Sequence, residues 1–198
     1  MSLETSIANL NSKVRHVQQL IHNQQWRQEY PNILRSTNES EFIFTTLLSN
    51  CSLQQVFQVI TSTDANVQKQ MNPSCKSFKI LGTIQAFPLI HTTIEIGVPF
   101  VADRDFLFVS SVTQTQNTIT ICNCSLTEQD EREVYLEESN SVRGRIHYNA
   151  WIIQKEDSKV RVYCTSKIEM GGWIPSSAMK NASRELSHSI RCLSNYTF

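Results

Sequence analysis

The side chains of this 198-residue sequence that are able to carry out chemistry do not form a familiar catalytic set. His91 and His147 have neither a nucleophile nor a carboxylate in view with which to complete a catalytic triad. His188 falls between the apolar and the polar side of a helical pattern, which indicates a surface residue. Residues 103–105 (Asp-Arg-Asp) resemble a charged site, but their place before a strand pattern favours a role at the loop-to-strand junction. We therefore predict no catalytic residues and a protein that is not an enzyme.

The cysteine and glycine patterns predict neither a metal site nor a cofactor. None of the six cysteines forms a Cys-x-x-Cys pair, and no histidine completes a zinc-binding spacing. Cys122 and Cys124 are two residues apart in a strand-like stretch and share a face, which would suit a soft metal. We favour reduced, buried thiols instead. The five glycines form no phosphate-binding loop.

The charge balance and the hydropathy indicate which classes of protein the sequence does not fit. The sequence has 18 lysine and arginine residues and 18 aspartate and glutamate residues, so its formal net charge is zero. Nucleic-acid surfaces need clustered excess positive charge, and we therefore expect no nucleic-acid partner. No apolar run approaches the roughly 18 residues needed to span a bilayer, and residues 1–5 show no export signal. We expect a monomeric cytoplasmic protein.

Two stretches with helical periodicity lie at the two ends of the sequence. Apolar residues from Leu3 to Ile21 recur at alternating steps of four and three, which predicts an amphipathic helix over about residues 3–22. Pro175, a residue tolerated in the first turn of a helix, precedes a second helix predicted over about residues 176–195. The apolar stripe of this second helix passes from small to large residues, namely Ala178, Met179, Ala182, Leu186, Ile190 and Leu193. The stripe is compatible with a helix that covers an internal space at one end, and also with an ordinary core helix.

Between these two helices the periodicity is mainly that of antiparallel strands. Ser52 and Asp64 are predicted to cap two short helices, and from Cys75 onward apolar and polar residues alternate. The acidic stretch of residues 128–140 is the predicted long loop. The later strands are predicted at residues 89–97, 104–113, 117–125, 142–155 and 158–169. Because helices at the ends flank consecutive antiparallel strands, we predict a single α+β domain over residues 1–198.

The alternation also predicts which strand residues share a face and point inward. These residues are Phe106, Phe108, Ser110, Ile121, Asn123, Ile146, Tyr148, Ile152, Val162 and Cys164. A strongly curved sheet with these faces around the last helix would enclose a space lined mainly by hydrocarbon, with a few hydroxyl, thiol and amide groups. The alternative is a fully packed core in which Ser110, Asn123 and Ser125 bond to the backbone, and the alternation does not choose between the two.

Four segments carry motifs whose order and spacing are informative together. Residues 98–109 are similar to the pattern Pro-x-x-x-Arg-Asp-Phe-x-x-Val, with one residue more between Pro99 and Arg104. Residues 142–144 (Val-Arg-Gly) open a late strand. Residues 172–175 (Gly-Trp-Ile-Pro) lead into the final helix, and residues 68–73 are similar to an Arg-x-x-Trp-Asp-Pro step before a strand. The combination resembles the START family, the steroidogenic-acute-regulatory-protein-related lipid transfer domains, over about residues 20–196.

The resemblance implies a helix-grip fold, in which a curved antiparallel sheet is wrapped around the long C-terminal helix and a tunnel between them holds one lipid. It also implies a lid, formed by the loop of Val98, Pro99, Phe100 and Val101 together with the end of the last helix. We expect this loop to touch a membrane surface transiently. Two departures from the family pattern matter. Residues 71–72 are Met-Asn instead of Trp-Asp, which is expected to affect packing only. Ser110 stands where sterol-carrying relatives place a buried arginine, which weakens the case for recognition by a buried ion pair.

We therefore predict binding and intracellular transfer of a single lipid, which is a phospholipid, a sterol or another hydrophobic molecule. The predicted lipid-binding residues are the inward strand residues named above and, on the last helix, Met179, Ala182 and Leu186. Two alternatives stand beside this prediction. One is a hydrophobic-ligand sensor or interaction domain, and the other is an enzyme of the same fold, such as a cyclase.

Overall fold

The computed structural model describes residues 4–23, 26–30, 33–36, 42–134, 140–175 and 188–198. The helices are α1 (Glu4–Asn23), α2 (Leu53–Ile60), α3 (Ala65–Met71) and α4 (Glu128–Glu131), and residues 188–195 are also helical. The strands are β1 (Trp26–Tyr30), β2 (Ile33–Ser36), β3 (Phe42–Leu48), β4 (Cys75–Ile84), β5 (Phe87–Ile94), β6 (Arg104–Gln114), β7 (Thr118–Ser125), β8 (Val142–Arg143), β9 (Arg145–Glu156) and β10 (Lys159–Glu169). The predicted first helix and the predicted strands are present, with bounds that differ by a few residues.

The strands of the described residues form one sheet in the order β1-β2-β3-β10-β9-β7-β6-β5-β4. Neighbours in this order are antiparallel, and the short β8 lies parallel to β6. The sheet is curved and does not close, so β1 and β4 are its edges. The predicted α+β class with an antiparallel sheet is confirmed.

Helix α1 covers one face of the sheet, which we call the α1 face. Its apolar stripe, including Leu10 and Val17, is buried against Leu107, Val109 and Cys122 on the central strands. The helix forms here because its apolar residues recur every three to four positions and so lie on one side of the cylinder. Packing this side on the sheet removes the apolar stripe from water and leaves the polar side exposed.

The opposite face of the sheet, which we call the inner face, contacts the helical residues 188–195. Ile190 and Leu193 are buried in one cluster with sheet residues such as Ile121, Ile153 and Val162. We call this set of residues the Leu193 cluster. Residues 176–187, the first part of the predicted C-terminal helix, lie outside the described residues.

Helices α2 and α3 begin at the two predicted caps. The Ser52 hydroxyl accepts a hydrogen bond from the Gln55 amide (3.2 Å), and the Gln55 side chain accepts one from the Ser52 amide (2.9 Å). This reciprocal capping box satisfies two amide groups that would otherwise lack a partner. The carboxylate of Asp64 likewise accepts hydrogen bonds from the amides of residues 66 and 67. The two helices contribute Val56 and Met71 to the Leu193 cluster.

Two predicted elements differ from the structure. The acidic stretch predicted as a loop contains α4, which Thr127 caps by accepting a hydrogen bond from the Asp130 amide (3.2 Å). The strand predicted over residues 142–155 is interrupted at Gly144, where a Cβ atom would lie 2.3 Å from a ring carbon of Phe106. No helix within the described ranges is long and apolar enough to cross a membrane.

Candidate functional site

The inner face carries a second apolar cluster near the start of β6. Phe106 and Phe108 alternate along β6 with Leu107 and Val109, which belong to the α1 face. The side chains of Phe106 and Phe108 therefore point to the inner face. They are buried together with Ile90 of β5 and Ile146 of β9. We call these four residues the Phe106 cluster. Their burial agrees with the predicted inward direction of Phe106, Phe108 and Ile146.

Polar side chains lie between the Phe106 cluster and the Leu193 cluster. Asn123 of β7 is directly opposite Asn149 of β9, and its side-chain amide donates a hydrogen bond to the Asn149 side-chain oxygen (3.2 Å). Both side chains are partly accessible, although they belong to central strands of the sheet. Ser110 of β6 is the residue opposite Asn123 on the other side. Accessible polar groups thus separate two buried apolar clusters.

A bulge in β9 changes the direction of its side chains. Ile146 is opposite Ile168 of β10, but Tyr148 is opposite Lys167, so His147 is an extra residue in β9. Such an insertion reverses the alternation of all later side chains relative to the earlier ones. The side chain of Ile146 therefore lies on the inner face while that of Tyr148 lies on the α1 face.

The predicted inward direction of Tyr148 and Ile152 is therefore wrong. Both residues are buried in the cluster around α1, and the Tyr148 ring contacts the ring of His16 edge-on with the ring centroids 5.6 Å apart. Trp151 and Ile153 lie on the inner face instead, in the Leu193 cluster. Residues 150–153 are apolar on both faces, so an alternating pattern does not reveal the reversal.

The other predicted strand residues of the site lie on one face. The inner face holds Phe106, Phe108, Ser110, Ile121, Asn123, Ile146, Val162 and Cys164. Asn149 and Trp151 join them and were not predicted, because the bulge hides their direction. The predicted helix residues Met179, Ala182 and Leu186 lie outside the described residues.

The loop between β5 and β6 presents an exposed aromatic side chain. Phe100 is 108% exposed, and its φ of +65° lies in the left-handed region, which costs a bulky residue about 1–2 kcal/mol. Pro99 beside it is exposed, while Val98 and Val101 are half-buried. Trp173, in the segment that leads to the C-terminal helix, is 78% exposed. Two large apolar side chains are thus exposed, one in the loop before β6 and one in the segment after β10.

Arg104 connects the two segments that carry these aromatic residues. Its side chain is almost completely buried at the start of β6. The guanidinium donates one hydrogen bond to the carbonyl oxygen of Ala102 and another to that of Trp173 (3.1 Å). Gly171, next to this segment, has a φ of +67°, and a Cβ atom there would lie 2.2 Å from the Arg143 carbonyl oxygen. Arg104, the middle residue of the charged triplet at residues 103–105, therefore holds the loop-to-strand junction, which agrees with the role predicted for the triplet.

Asp105 belongs to a charged cluster on the α1 face. Its carboxylate accepts hydrogen bonds from two nitrogens of Arg143 (2.7 and 2.9 Å) and lies 3.0 Å from the Nε2 atom of His91. Burial alone would raise the pKa of Asp105, but the hydrogen bonds with His91 and Arg143 lower it from 3.8 to about 2. Arg143 also lies 3.5 Å from the carboxylate of Glu131, whose pKa is raised by burial. The cluster joins β5, β6, β8 and α4, and the sheet separates it from the inner face.

The histidine predictions require correction. His91 has a carboxylate partner 14 residues away on the neighbouring strand, and His147 lies 3.4 Å from the carboxylate of Glu169. His188, by contrast, is partly exposed, as predicted for a surface residue, and it lies 3.2 Å from the carbonyl oxygen of Gln70. Within the described ranges, no group of three or more histidine, cysteine, aspartate or glutamate residues is arranged to hold a metal ion.

The buried cysteines have free thiols. Cys122 and Cys124 share a face, as predicted, and are buried in the cluster around α1. Burial raises the pKa of Cys122 to about 12, and burial also raises the pKa of Cys164 on the inner face. These thiols are therefore neutral at pH 7 and contribute apolar surface.

Comparison with known proteins gives structural likenesses at low sequence identity. No protein-family profile and no curated protein sequence matches the chain. The structure of human StAR-related lipid transfer protein 5 matches with a TM-score of 0.70 and 13% identity, over 95% of this chain and 94% of that one. Human STARD10 matches with a TM-score of 0.70 and 10% identity, over 93% and 80% of the two chains. A STAR-related lipid transfer protein fragment from Xanthomonas axonopodis matches with a TM-score of 0.64 and 18% identity, over 87% and 97%.

These likenesses define the class of the fold. The chain has the START-like helix-grip fold, with a curved antiparallel sheet that does not close and few helices. The predicted fold class and the resemblance to the START domains are thereby confirmed. A shared fold does not assign a function, and the function of this chain must be argued from its own residues.

Proposed function

We propose that this protein binds one lipid molecule against the inner face of its sheet and carries it between membranes without catalysing a reaction. The domain comprises residues 1–198, acts as a monomer in the cytoplasm and contacts membranes transiently. The lipid tail lies against the Phe106 cluster and the neighbouring part of the Leu193 cluster. No metal or cofactor takes part in this function.

The observation that carries the proposal is the accessibility of side chains at the middle of the inner face. In a fully packed core, central strand residues that lie between buried apolar neighbours are themselves buried. Asn123 and Asn149 are partly accessible, whereas Ile121, Trp151 and Phe108 around them are buried. Accessible space at this place, next to extensive apolar surface, has the character of a ligand pocket.

The burial of an apolar tail contributes enough free energy to bind such a ligand. Each buried methylene contributes about 0.8 kcal/mol, so a tail of ~10–15 carbons gives roughly 8–12 kcal/mol before the costs of association and ordering. Few polar contacts are needed to hold a lipid under these conditions. The proposal therefore requires apolar surface and access, rather than a charged binding site.

The loop of Val98, Pro99, Phe100 and Val101 is the proposed lid and membrane contact. Phe100 is held in a strained conformation with its ring in solvent, which is unfavourable in water and becomes favourable where the ring can enter a bilayer surface. Because Arg104 bonds to both loop segments, opening of the lid at the membrane requires that these hydrogen bonds break or rearrange.

The first test is native mass spectrometry of the purified 198-residue protein, followed by exposure to phospholipid vesicles. We expect a mass increase that corresponds to one lipid per chain, and transfer of lipid from donor to acceptor vesicles. A bare mass combined with no extraction of any lipid from vesicles would overturn the proposal. Binding without transfer would replace the carrier function by that of a ligand sensor.

The second test compares Phe100→Asp with Gln116→Asp. Both variants add one negative charge to an exposed loop, but residue 116 lies in the turn at the opposite end of β6. Phe100→Asp should slow vesicle-to-vesicle transfer by at least about tenfold, because a charge at a bilayer surface opposes insertion of the loop. Gln116→Asp should transfer lipid at the wild-type rate. Equal rates for both variants would remove the loop from the transfer mechanism.

A further inference from the structure

A row of uncharged polar side chains crosses the inner face. Ser110 of β6 is opposite Asn123 of β7, Asn123 is opposite Asn149 of β9, and Asn149 is opposite Ser166 of β10. Residues that are opposite one another in neighbouring strands point to the same face. These four residues, which we call the polar row, therefore lie side by side across four adjacent strands.

The residues next to the polar row along each strand are mostly apolar and buried. On one side lie Ile121, Trp151 and Cys164, and on the other side lie Phe108, Ser125 and Ile146. The Ser125 hydroxyl is already engaged, because it accepts a hydrogen bond from the Ile146 amide (2.9 Å). The polar row is thus a narrow band of hydrogen-bonding groups between two apolar surfaces.

The polar row has unused hydrogen-bonding capacity. The bond between Asn123 and Asn149 uses one donor and one acceptor, whereas two side-chain amides offer four donor hydrogens and two acceptor oxygens. Among the described residues, neither amide nor the hydroxyls of Ser110 and Ser166 makes a further hydrogen bond to a side chain. Since three of the four side chains are partly accessible, these groups are available to a ligand.

No described side chain in the polar row or next to it on this face carries a charge. Arg104, a cation on the same face of β6, is six residues from Ser110, which corresponds to about 20 Å along an extended strand. Its guanidinium is already bonded to two carbonyl oxygens. An ionised phosphate or carboxylate placed at the polar row would therefore lose water without gaining an opposite charge from the described side chains of this face, which is unfavourable.

We propose that the polar row selects a lipid whose polar end is uncharged and carries hydroxyl or amide groups, and that it disfavours lipids with an ionised head group. This inference rests on the proposed lipid-binding function. Asn123 and Asn149 present donors and acceptors side by side, which matches a group that both donates and accepts hydrogen bonds. Asn149 becomes a specificity-determining residue that the alternation in the sequence does not reveal, and Ser166, which the alternation places on the same face as Cys164, becomes another.

The first experiment measures the head-group preference of the wild-type protein. Phosphatidylcholine vesicles contain equal amounts of a ceramide, a diacylglycerol and phosphatidylserine with the same acyl chains, and the lipid bound to the re-isolated protein is quantified by mass spectrometry. We expect enrichment of ceramide or diacylglycerol over phosphatidylserine by at least about tenfold, as for sites that pair hydrogen-bonding groups with their ligand. The comparison of ceramide with diacylglycerol distinguishes an amide-bearing from a hydroxyl-bearing ligand. Equal binding of phosphatidylserine and the uncharged lipids would overturn the inference.

The second experiment removes single groups of the polar row. Asn149→Leu should reduce the preference for the uncharged lipids by about tenfold, while binding of a fluorescent alkyl probe persists because the apolar clusters are intact. Ser110→Ala and Ser166→Ala change the side chain less and provide the same test if Asn149→Leu does not fold, which circular dichroism will show. Ser111→Ala is the matched control, because it removes a hydroxyl from the same strand on the α1 face. An unchanged preference in the polar-row variants, or an equal loss in Ser111→Ala, would overturn the inference.

The outcomes separate this inference from the function on which it rests. A wild-type protein that binds neither the alkyl probe nor any lipid would overturn the proposed function and, with it, the selection by the polar row. A wild-type protein that binds the probe and all head groups alike would overturn the selection only.

Discussion

Replacing Asp105 by asparagine tests whether the charged cluster on the α1 face stabilises the fold through the ionised carboxylate. Asparagine has nearly the same shape and keeps one oxygen acceptor, so the change removes charge with little loss of packing. The Asp105 carboxylate is 5% exposed and is bonded to Arg143 and His91 at 2.7–3.0 Å. Screening by water is therefore weak at this position.

The magnitude follows from the pKa of Asp105. A native pKa of about 2, against 3.8 for the ordinary group, corresponds to about 2 kcal/mol of stability at neutral pH, at about 1.4 kcal/mol per pKa unit. Because the native pKa is the lower of the two, the unfolded chain binds more protons between pH 4 and pH 2. The contribution is complete above about pH 4–5, falls as the pH decreases through this range, and is lost below about pH 2.

Urea unfolding of both proteins from pH 7 to pH 2 provides the measurement. At pH 7 we expect Asp105→Asn to lower the free energy of unfolding by about 2 kcal/mol, or Tm by about 4–8 °C, and we expect this difference to shrink toward pH 2. Glu128→Gln is the control, because Glu128 is 80% exposed and 3.9 Å from its partner Arg145, and should change stability by less than about 0.5 kcal/mol. A variant as stable as wild type at pH 7, or a difference that is independent of pH, would refute the reasoning.

Three further changes test other parts of the structure. Gly171→Ala should destabilise the protein by at least about 2 kcal/mol more than Gly97→Ala in denaturant titrations. Both glycines have a φ of +67°, but only at Gly171 would the new Cβ lie 2.2 Å from the Arg143 carbonyl oxygen, so equal effects would contradict the close approach. Ser52→Ala removes the capping box of α2 and should lower the free energy of unfolding by about 1 kcal/mol, which corresponds to a decrease of about 2–4 °C in Tm by calorimetry. An unchanged Tm would show that the cap is dispensable. An alkylating reagent should leave Cys164 unmodified in the folded protein and modify it after unfolding, as mass spectrometry will show, because Cys164 is buried and burial raises the pKa of its thiol. Rapid labelling of Cys164 in the folded protein would contradict its burial.

Much of the fold can be predicted from the sequence, because its signals are local. The steps of three and four between apolar residues predict α1, and Ser52 and Asp64 predict the starts of α2 and α3. In β6 and β10 the side chains that carried the prediction alternate without a bulge between them. The inner position of Phe108 and Val162 therefore follows from the two-residue period of a strand. The three charged residues 103–105 immediately precede an apolar strand pattern, and this order predicts a loop-to-strand junction.

The sequence by itself thus determines the order of the elements and most of the side chains that face inward, since helix and strand periods repeat within a few residues. Only the tertiary structure decides which partners meet across the sheet. The extra residue at His147 reverses the direction of the side chains after it, and the pairing of β9 with β10 is what reveals this insertion. The pairing of β9 with β7 brings Asn149 opposite Asn123, and the pairing of β5 with β6 brings His91 to Asp105. Contacts between residues so distant in the chain depend on strand register, which no local pattern encodes.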